Sequence, residues 1–266
     1  MSTRAAVLLG IAVAAVLLGL VVGPRAWRAY ERRVTVDPRT ALAEQCEEVP
    51  DEAERITLTA GDGTVLGAAL VGPAGAEAGV VLRQGASQRI CDWLPWAGEV
   101  AETTGMRVLL FDRRGRGSSP AEPNLSAEVG DLEVAVDRLR AEGAERVGLV
   151  ASSMGNSIMF SALPELDREP CVVASISPVL TSSDAHGVVD GGRLESLPAN
   201  TWVTWEAGNG GIVSEAARIV ARAEELGHPP PRQLEVDTSH HSRQLVLNHP
   251  EVQEFLLDAF ESCSSR

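Results

Sequence analysis

The sequence predicts one α/β domain whose mostly parallel, mixed sheet is covered by helices on both faces. From residue 80 onward, short apolar runs alternate with helical patterns, and this order is typical of parallel strands joined by right-handed crossovers. Two alternating segments around a glycine turn precede them and predict an antiparallel hairpin. The composition agrees, since 44% of the 266 residues are hydrophobic and 23% charged, as in a folded domain with a large core.

The predicted hairpin pairs residues 55–59 with residues 65–71 across Gly61-Asp62-Gly63. The later predicted strands are 80–82, 107–111, 147–150, 172–176, 201–205 and 233–236, and the predicted helices are 93–104, 125–141, 154–163, 214–226 and 250–260. Residues 177–200, between the sixth and seventh strands, leave room for a short cover rather than a separate lid domain.

The first 24 residues predict a transmembrane anchor. No charged residue lies between Ala5 and Gly23, a stretch long enough to cross a bilayer as a helix. Gly23-Pro24 ends it and is poorly suited to signal-peptide cleavage, although a cleaved signal peptide is the alternative. We therefore predict an anchor over residues 1–24, a juxtamembrane linker over 25–54 and the α/β domain over 55–263.

The two signals for membrane orientation disagree. Arginines crowd the C-terminal flank of the apolar stretch, which by the positive-inside tendency keeps the domain in the cytoplasm. The chain has four cysteines, Cys46, Cys91, Cys171 and Cys263, an even number that suits two disulfides outside the cytoplasm in any of three pairings. The cysteines lead us to expect a single-pass membrane protein with an extracytoplasmic domain.

The charge of the chain argues against a nucleic-acid partner. Of the net charge of −14, residues 1–33 carry +4, from five arginines and one glutamate, so the remainder carries −18. A domain this acidic repels phosphate backbones. The sequence also has no nucleotide-binding loop, metal-ligand cluster or flavin fingerprint, so we predict neither a cofactor nor a metal.

A sharp turn after the fifth strand places a serine where a nucleophile is expected. The segment reads Val-Ala-Ser-Ser-Met-Gly over residues 150–155, and a strand-to-helix turn of this kind needs small residues two before and two after the turning residue. Centred on Ser153, the flanks are the small Ala151 and Gly155. Ser153 is therefore the candidate nucleophile, and the Met154 amide at the start of the helix is a candidate oxyanion donor.

Several motifs together resemble the α/β-hydrolase family from residue 55 to residue 260. They are Gly-Val-Val-Leu-Arg-Gln-Gly at 79–85, Trp-Leu-Pro-Trp at 93–96, Phe-Asp-Arg-Arg-Gly-Arg-Gly-Ser-Ser at 111–119, Ala-Ser-Ser-Met-Gly at 151–155 and Ser-His-His-Ser at 239–242. The resemblance implies the α/β-hydrolase fold with a minimal lid and a serine–histidine–acid site. It also implies that Asp112 shapes the turn after the fourth strand and takes no part in chemistry.

The resemblance puts the general base in the loop after the last strand. His240 and His241 both lie there, and His241 fits better because it is followed by a small polar residue and then a helical pattern. In this role the imidazole takes the proton of Ser153 and later gives it to the leaving group.

The acid departs from the pattern of the family. An aspartate is expected a few residues after the seventh strand, but the chain reads Trp-Glu-Ala-Gly-Asn-Gly-Gly over residues 205–211. Three residues are candidates instead: Glu206 at the end of the strand, Asp184 in the loop after the sixth strand, and Asn209 as an uncharged substitute. A site without an acid is the remaining alternative.

The oxyanion loop also departs, because the family often has His-Gly after the third strand. Here the sequence is Arg83-Gln84-Gly85-Ala86. Backbone amides around Gly85 and Ala86 remain candidate donors, since an oxyanion hole uses N–H groups rather than side chains. We expect Arg83 to be structural rather than to bind an anionic substrate.

The combined expectation is a serine hydrolase that cleaves an ester, thioester or amide of a small-molecule substrate through an acyl-enzyme on Ser153. A serine at the turn after the fifth strand, rather than an aspartate, argues against reactions in which a carboxylate is the nucleophile. The alternative is a catalytically degenerate hydrolase fold kept as a binding or scaffold protein of the cell envelope. The missing aspartate and the altered His-Gly pair favour that alternative.

Overall fold

A computed structural model describes residues 35–264. Within these residues the strands are β1 (Glu54–Thr59), β2 (Val65–Val71), β3 (Ala78–Arg83), β4 (Arg107–Phe111), β5 (Arg146–Ser152), β6 (Val173–Ile176), β7 (Thr181–Asp184), β8 (Gly187–Asp190), β9 (Thr201–Glu206) and β10 (Arg232–Val236). The helices are α1 (Leu42–Gln45), α2 (Ile90–Thr104), α3 (Ala127–Ala141), α4 (Gly155–Ala162), α5 (Gly210–Glu225), α6 (Arg243–Asn248) and α7 (Pro250–Ser264).

Eight strands form one sheet in the order β1-β2-β4-β3-β5-β6-β9-β10. The pairs β1–β2 and β2–β4 are antiparallel, and every pair from β4 to β10 is parallel. The registers align the ends of the central strands, since Ser152 pairs with Ile176, and Glu206 with Val236. Parallel strands end at one edge, so the loops that follow β3, β5, β6, β9 and β10 meet there.

Helices cover both faces of the sheet, as predicted. Within β3, Val81 faces the core beneath α3, α4 and α5, whereas Val80 and Leu82 face the core beneath α2, α6 and α7. This alternation follows from the period of a strand, and burial on both faces explains why the central strands are apolar throughout. All three residues are at most 1% exposed, and each such side chain contributes about 1.5–3 kcal/mol by its burial.

The segment before β1 packs against the domain. Leu42 in α1 and Cys46 after it are buried in the core beneath α2, and the Val36 amide donates to the Gly117 carbonyl over 2.8 Å. The Gln45 Nε2 donates to Asp112 Oδ2 over 3.1 Å. The packed part of the chain therefore begins well before residue 55, because two apolar residues in a polar segment attach it to the core.

Two disulfides resolve the pairing that the sequence leaves open. Cys46 is bonded to Cys91, and Cys171 to Cys263. The first bond ties the N-terminal segment to α2, and the second ties the start of β6 to the end of α7. They close loops of 45 and 92 residues, and loops of this length contribute about 2–5 kcal/mol each by restricting the unfolded chain.

Between residues 35 and 264, no helix combines the length and the apolar composition needed to cross a membrane. The predicted anchor over residues 1–24 lies outside the described residues, as does the first part of the predicted linker.

Two helices begin earlier than predicted because a side chain caps the first turn of each. The Asn209 Oδ1 accepts from the Gly211 amide over 3.2 Å, so α5 begins at Gly210 rather than at residue 214. The Asp112 Oδ1 accepts from the Ile90 amide over 2.8 Å, so α2 begins at Ile90 rather than at residue 93. The cover over residues 177–200 is the β7–β8 hairpin followed by a short 3₁₀ turn, Gly191–Arg193.

Candidate active site

Ser153 is the turning residue between β5 and α4. Its φ is 53°, a left-handed conformation that is strained for a residue with a side chain. The Ser153 amide donates to the Ile176 carbonyl over 2.9 Å, which helps to hold the turn. A Cβ on Gly155 would lie 2.4 Å from the Arg83 carbonyl oxygen. The small residue that the sequence analysis required at 155 is therefore needed because the end of β3 passes directly over the turn.

His241, in the loop after β10, faces the Ser153 hydroxyl. The distance from His241 Nε2 to Ser153 Oγ is 2.8 Å, and the imidazole side chain is 38% exposed. The competing His240 is directed elsewhere, since its Nδ1 lies 3.0 Å from His249 Nε2. Of the two adjacent histidines, His241 is the one within hydrogen-bond reach of Ser153.

Glu206, the last residue of β9, contacts the other nitrogen of the same ring. The distance from His241 Nδ1 to Glu206 Oε1 is 2.5 Å, and Glu206 is completely buried. Its second oxygen, Oε2, accepts from the Ser177 hydroxyl over 2.6 Å. With a proton on Nδ1 facing Glu206, the neutral ring presents an unprotonated Nε2 to Ser153.

The other two candidates for the acid do not contact His241. Asp184, at the end of β7, accepts from the Leu125 and His186 amides. Partial desolvation raises the pKa of the Asp184 carboxyl, but these two hydrogen bonds outweigh it and hold the pKa below its usual range. Asn209 is exposed and serves as the cap of α5. Both side chains are thus occupied by local backbone amides, and of the three candidates Glu206 is the one that contacts the imidazole.

The loop after β3 brings only part of the predicted oxyanion site into position. The Gly85 amide donates to Gln88 Oε1 over 2.9 Å, so this predicted donor is already occupied. The Met154 and Ala86 amides have no acceptor among residues 35–264. A Cβ on Gly85 would lie 3.2 Å from Ser153 Cβ, which places the loop beside the nucleophile. The two amides left for an oxyanion are those of Met154 and Ala86.

Three polar residues around the site were not predicted. Ser177 follows β6, Ser242 follows His241, and Gln88 lies between the Gly85 turn and α2. The Ser242 amide donates to Ser177 Oγ over 2.9 Å, and Gln88 Nε2 donates to Ser242 Oγ over 2.9 Å. For Ser177 the available signal was its place directly after a central strand, at the edge where the site forms.

Arg83 has a structural role. It is 1% exposed and forms an ion pair with the buried Glu128, which also binds Arg113 over 2.9 Å. Burial lowers the pKa of the Arg83 guanidinium from its usual value, and the charge of Glu128 opposes that change. Arg113 in turn donates to the Ala86 carbonyl over 3.3 Å, so the two arginines support the loop of Gly85 and Ala86 from behind.

Asp112 stabilises the turn after β4, as the sequence analysis expected. It is completely buried, and its Oδ2 accepts from the amide and the hydroxyl of Ser118 over 2.7 and 2.9 Å. Among residues 35–264 no three His, Cys, Asp or Glu side chains are grouped closely enough to hold a metal ion.

The sequence profile of the alpha/beta hydrolase family matches residues 80–260, which is most of the chain and includes Ser153, Glu206 and His241. The chain belongs to the alpha/beta hydrolase family. This confirms the predicted family and, with the sheet order described above, the predicted fold class. Comparison with curated proteins by sequence gives no significant match.

Solved structures of low sequence identity share the fold. An esterase of Pyrococcus furiosus superposes with a TM-score of 0.67 at 16% identity, covering 87% of this chain and 99% of that one. An esterase of Pyrobaculum calidifontis superposes with a TM-score of 0.64 at 14% identity, covering 85% of this chain and 90% of that one. A serine hydrolase of Xanthomonas campestris, described as lacking a lid, gives 0.58 at 22% identity, with coverages of 79% and 94%. At these identities the likenesses show the shared fold.

Proposed function

We propose that the protein is a serine hydrolase that cleaves an ester, thioester or amide bond through an acyl-enzyme on Ser153. One observation carries the proposal: a continuous hydrogen-bonded chain joins Ser153 Oγ to His241 Nε2 and His241 Nδ1 to Glu206 Oε1. Nucleophile, base and orienting carboxylate stand in the order that acyl transfer requires.

In the first half-reaction, Ser153 Oγ attacks the carbonyl carbon while His241 Nε2 takes the hydroxyl proton. The carbonyl oxygen becomes an oxyanion, and the amides of Met154, at the N-terminus of α4, and of Ala86 are the donors that we propose for it. The intermediate collapses when the bond to the leaving group breaks, and the leaving group takes the proton from His241. The acyl group is then an ester of Ser153.

In the second half-reaction, water attacks that ester. His241 takes a proton from the water as a tetrahedral intermediate forms. The bond between the acyl carbon and Ser153 Oγ then breaks, His241 gives its proton to Ser153 Oγ, and the acid leaves. Glu206 holds the ring tautomer throughout and stabilises the imidazolium that forms twice in each cycle. Its burial strengthens this interaction, since no water screens the carboxylate.

Small esters are the substrates that the site suits best. The cover is a hairpin of two four-residue strands, and the imidazole is 38% exposed, so the reacting groups are open to solvent. The names of the similar structures support esters in particular, since two of the three are esterases. A short cover leaves little apolar surface for a long acyl chain.

Labelling with a fluorophosphonate probe, followed by peptide mass spectrometry, tests the proposal on the chain from residue 35. We expect one adduct, on Ser153, because only this hydroxyl contacts an acceptor imidazole. A heat-denatured sample, in which the hydrogen-bonded chain is lost, is the control and should show no adduct. An adduct on Ser152, or a folded protein without any adduct, would contradict the proposal.

The alternative function, a degenerate binding or scaffold protein, loses its main support. It rested on the absence of an aspartate after the strand that is now β9, but Glu206 supplies a buried carboxylate at that place. The altered His-Gly pair is its other support, and the labelling experiment above distinguishes the two functions.

We further propose that residues 1–24 anchor the protein in the membrane and that the hydrolase domain lies outside the cytoplasm. The two disulfides support this location, because such bonds persist in oxidising compartments. Alkaline phosphatase fused after residue 34 should be active in a bacterial host, and the same fusion without residues 1–24 should be inactive. An inactive full fusion that accumulates as intact protein would contradict the proposed orientation.

A further inference from the structure

Gln88 connects two loops that carry different parts of the candidate active site. We call residues 84–88 the oxyanion loop and residues 237–242 the histidine loop. The Gln88 side chain accepts from the Gly85 amide within the first loop and donates to Ser242 Oγ in the second, each over 2.9 Å. Ser242 directly follows His241, so Gln88 contacts the residue next to the general base.

The hydrogen bonds of Gln88 determine the orientation of the oxyanion loop. Gln88 Oε1 holds the peptide unit before Gly85 through its amide, and the Gln88 amide holds the unit after Gly85 through its carbonyl, over 3.2 Å. A trans peptide unit is planar and its N–H points opposite to its C=O. Because the Gly85 carbonyl points toward Gln88, the Ala86 N–H in the same unit points away from it. The backbone amide of Gln88 therefore sets the direction of the Ala86 N–H, a candidate oxyanion donor, and the Gln88 side chain holds the adjoining peptide unit on the other side of Gly85.

The Gln88 side chain is itself held in place. The indole of Trp93, which is 1% exposed, donates to Gln88 Oε1 over 2.9 Å. On the other side, Ser242 Oγ is hydrogen-bonded to Ser152 Oγ, and the Ser242 amide is held by Ser177. A carboxamide carries an accepting atom and a donating atom on one carbon, and it therefore satisfies both loops at once.

We propose that Gln88 is a positioning residue that keeps the Ala86 amide correctly placed relative to His241 during acyl transfer. The inference deepens the proposed serine-hydrolase function and rests on it. If the Ala86 N–H turns, the ground-state substrate keeps its contacts, but the oxyanion loses a donor that it needs only in the transition state. Loss of Gln88 should therefore lower kcat rather than raise KM.

The test replaces Gln88 by methionine, which is similar in size and forms no hydrogen bonds of this kind. With p-nitrophenyl acetate, Gln88→Met should lower kcat by about 10- to 100-fold, less than the loss of a whole donor, and leave KM within about 3-fold. The inhibition constant of phenylboronic acid, which forms a tetrahedral adduct on the serine, should rise with the fall in kcat. Gln244→Met, at an exposed position on α6, is the matched control and should match the wild type.

Ser242→Ala is a second variant that breaks the bond between the two loops, together with the contact of Ser242 Oγ to Ser152 Oγ, and keeps the bonds of Gln88 to Gly85 and Trp93. It should lower kcat less than Gln88→Met does, and the double variant should be no slower than Gln88→Met alone, because both remove one connection. If Gln88→Met does not fold, an unchanged kcat in Ser242→Ala refutes the inference.

The failure of this inference is separate from that of the proposed function. An inactive wild-type protein that takes no fluorophosphonate label refutes both. An active wild-type protein whose Gln88→Met variant is folded and equally fast refutes only the role of Gln88. A raised KM with an unchanged kcat in Gln88→Met also refutes the positioning role, since that result would mean that Gln88 binds the substrate in its ground state.

Discussion

Replacing Ser153 by alanine is expected to lower kcat/KM for ester hydrolysis by about 10⁶-fold, to the level of the uncatalysed reaction plus what binding alone provides. The nucleophile is the atom on which the acyl-enzyme forms, so no other group compensates for its loss. His241→Ala should cause a loss of similar size, because an unactivated serine hydroxyl is a poor nucleophile at neutral pH. The double variant should be no slower than either single one, since the two residues act as a unit.

The neighbouring serine provides the control for this prediction. Ser152 is buried and its hydroxyl contacts Ser242 rather than His241, so Ser152→Ala should stay within about tenfold of the wild type, as expected for a supporting residue. Melting temperatures separate catalysis from folding, and Ser153→Ala should melt close to the wild type. Activity that survives in Ser153→Ala would show that another residue attacks the substrate.

The turn that carries Ser153 could be located from the sequence because its requirements are local and steric. The small residues at 151 and 155 selected Ser153 over Ser152, and the structure gives the cause in the carbonyl of Arg83 that lies against Gly155. The eight strands of the main sheet were likewise visible, because each is a short apolar run or an alternating segment between polar turns. Local patterns of this kind do not depend on where distant parts of the chain lie.

The acid could not be chosen from the sequence because its identity depends on how two loops meet. A Cβ on Gly208 would lie 2.7 Å from the Thr238 carbonyl, and the Gly208 amide donates to that carbonyl over 3.0 Å. This close approach draws the histidine loop over the end of β9. Glutamate is one methylene longer than aspartate, so Glu206 reaches the imidazole from the strand itself. A loop aspartate is then not needed at residues 209–211.

The polar supports of the site were missed for a related reason. Gln88 and Ser242 are 154 residues apart in the chain, and although Ser242 ends the Ser-His-His-Ser motif, nothing in that motif indicates a contact with Gln88. The segment before β1 was equally hidden, since only Leu42 and Cys46 mark its attachment. Contacts of this kind are set by the topology of the sheet, which brings the ends of distant strands to one edge.

Glu206→Gln is expected to lower kcat/KM by about 10⁴-fold while KM changes little, as for the corresponding amide substitution in a serine–histidine–aspartate site. The glutamine side chain fills the same space, but it no longer provides the charge that stabilises the imidazolium. Its amide nitrogen also favours the ring tautomer with the proton on Nε2, and that tautomer cannot accept the Ser153 proton. Steady-state kinetics on a small ester, with circular dichroism as the check of folding, measure the effect.

Asp184→Asn and Asn209→Ala are the matched controls, because both residues were candidates for the same role. Asn209→Ala removes a helix cap and should cost about 1 kcal/mol of stability, yet both variants should keep kcat/KM within about threefold, as expected for changes away from the reacting groups. The opposite pattern, with Glu206→Gln active and Asp184→Asn inactive, would assign the carboxylate to the β7–β8 hairpin. The structure argues for an inactive Glu206→Gln and an active Asp184→Asn. Glu206 is buried, one of its oxygens contacts His241 and the other Ser177, so the imidazolium is the cation that its charge stabilises.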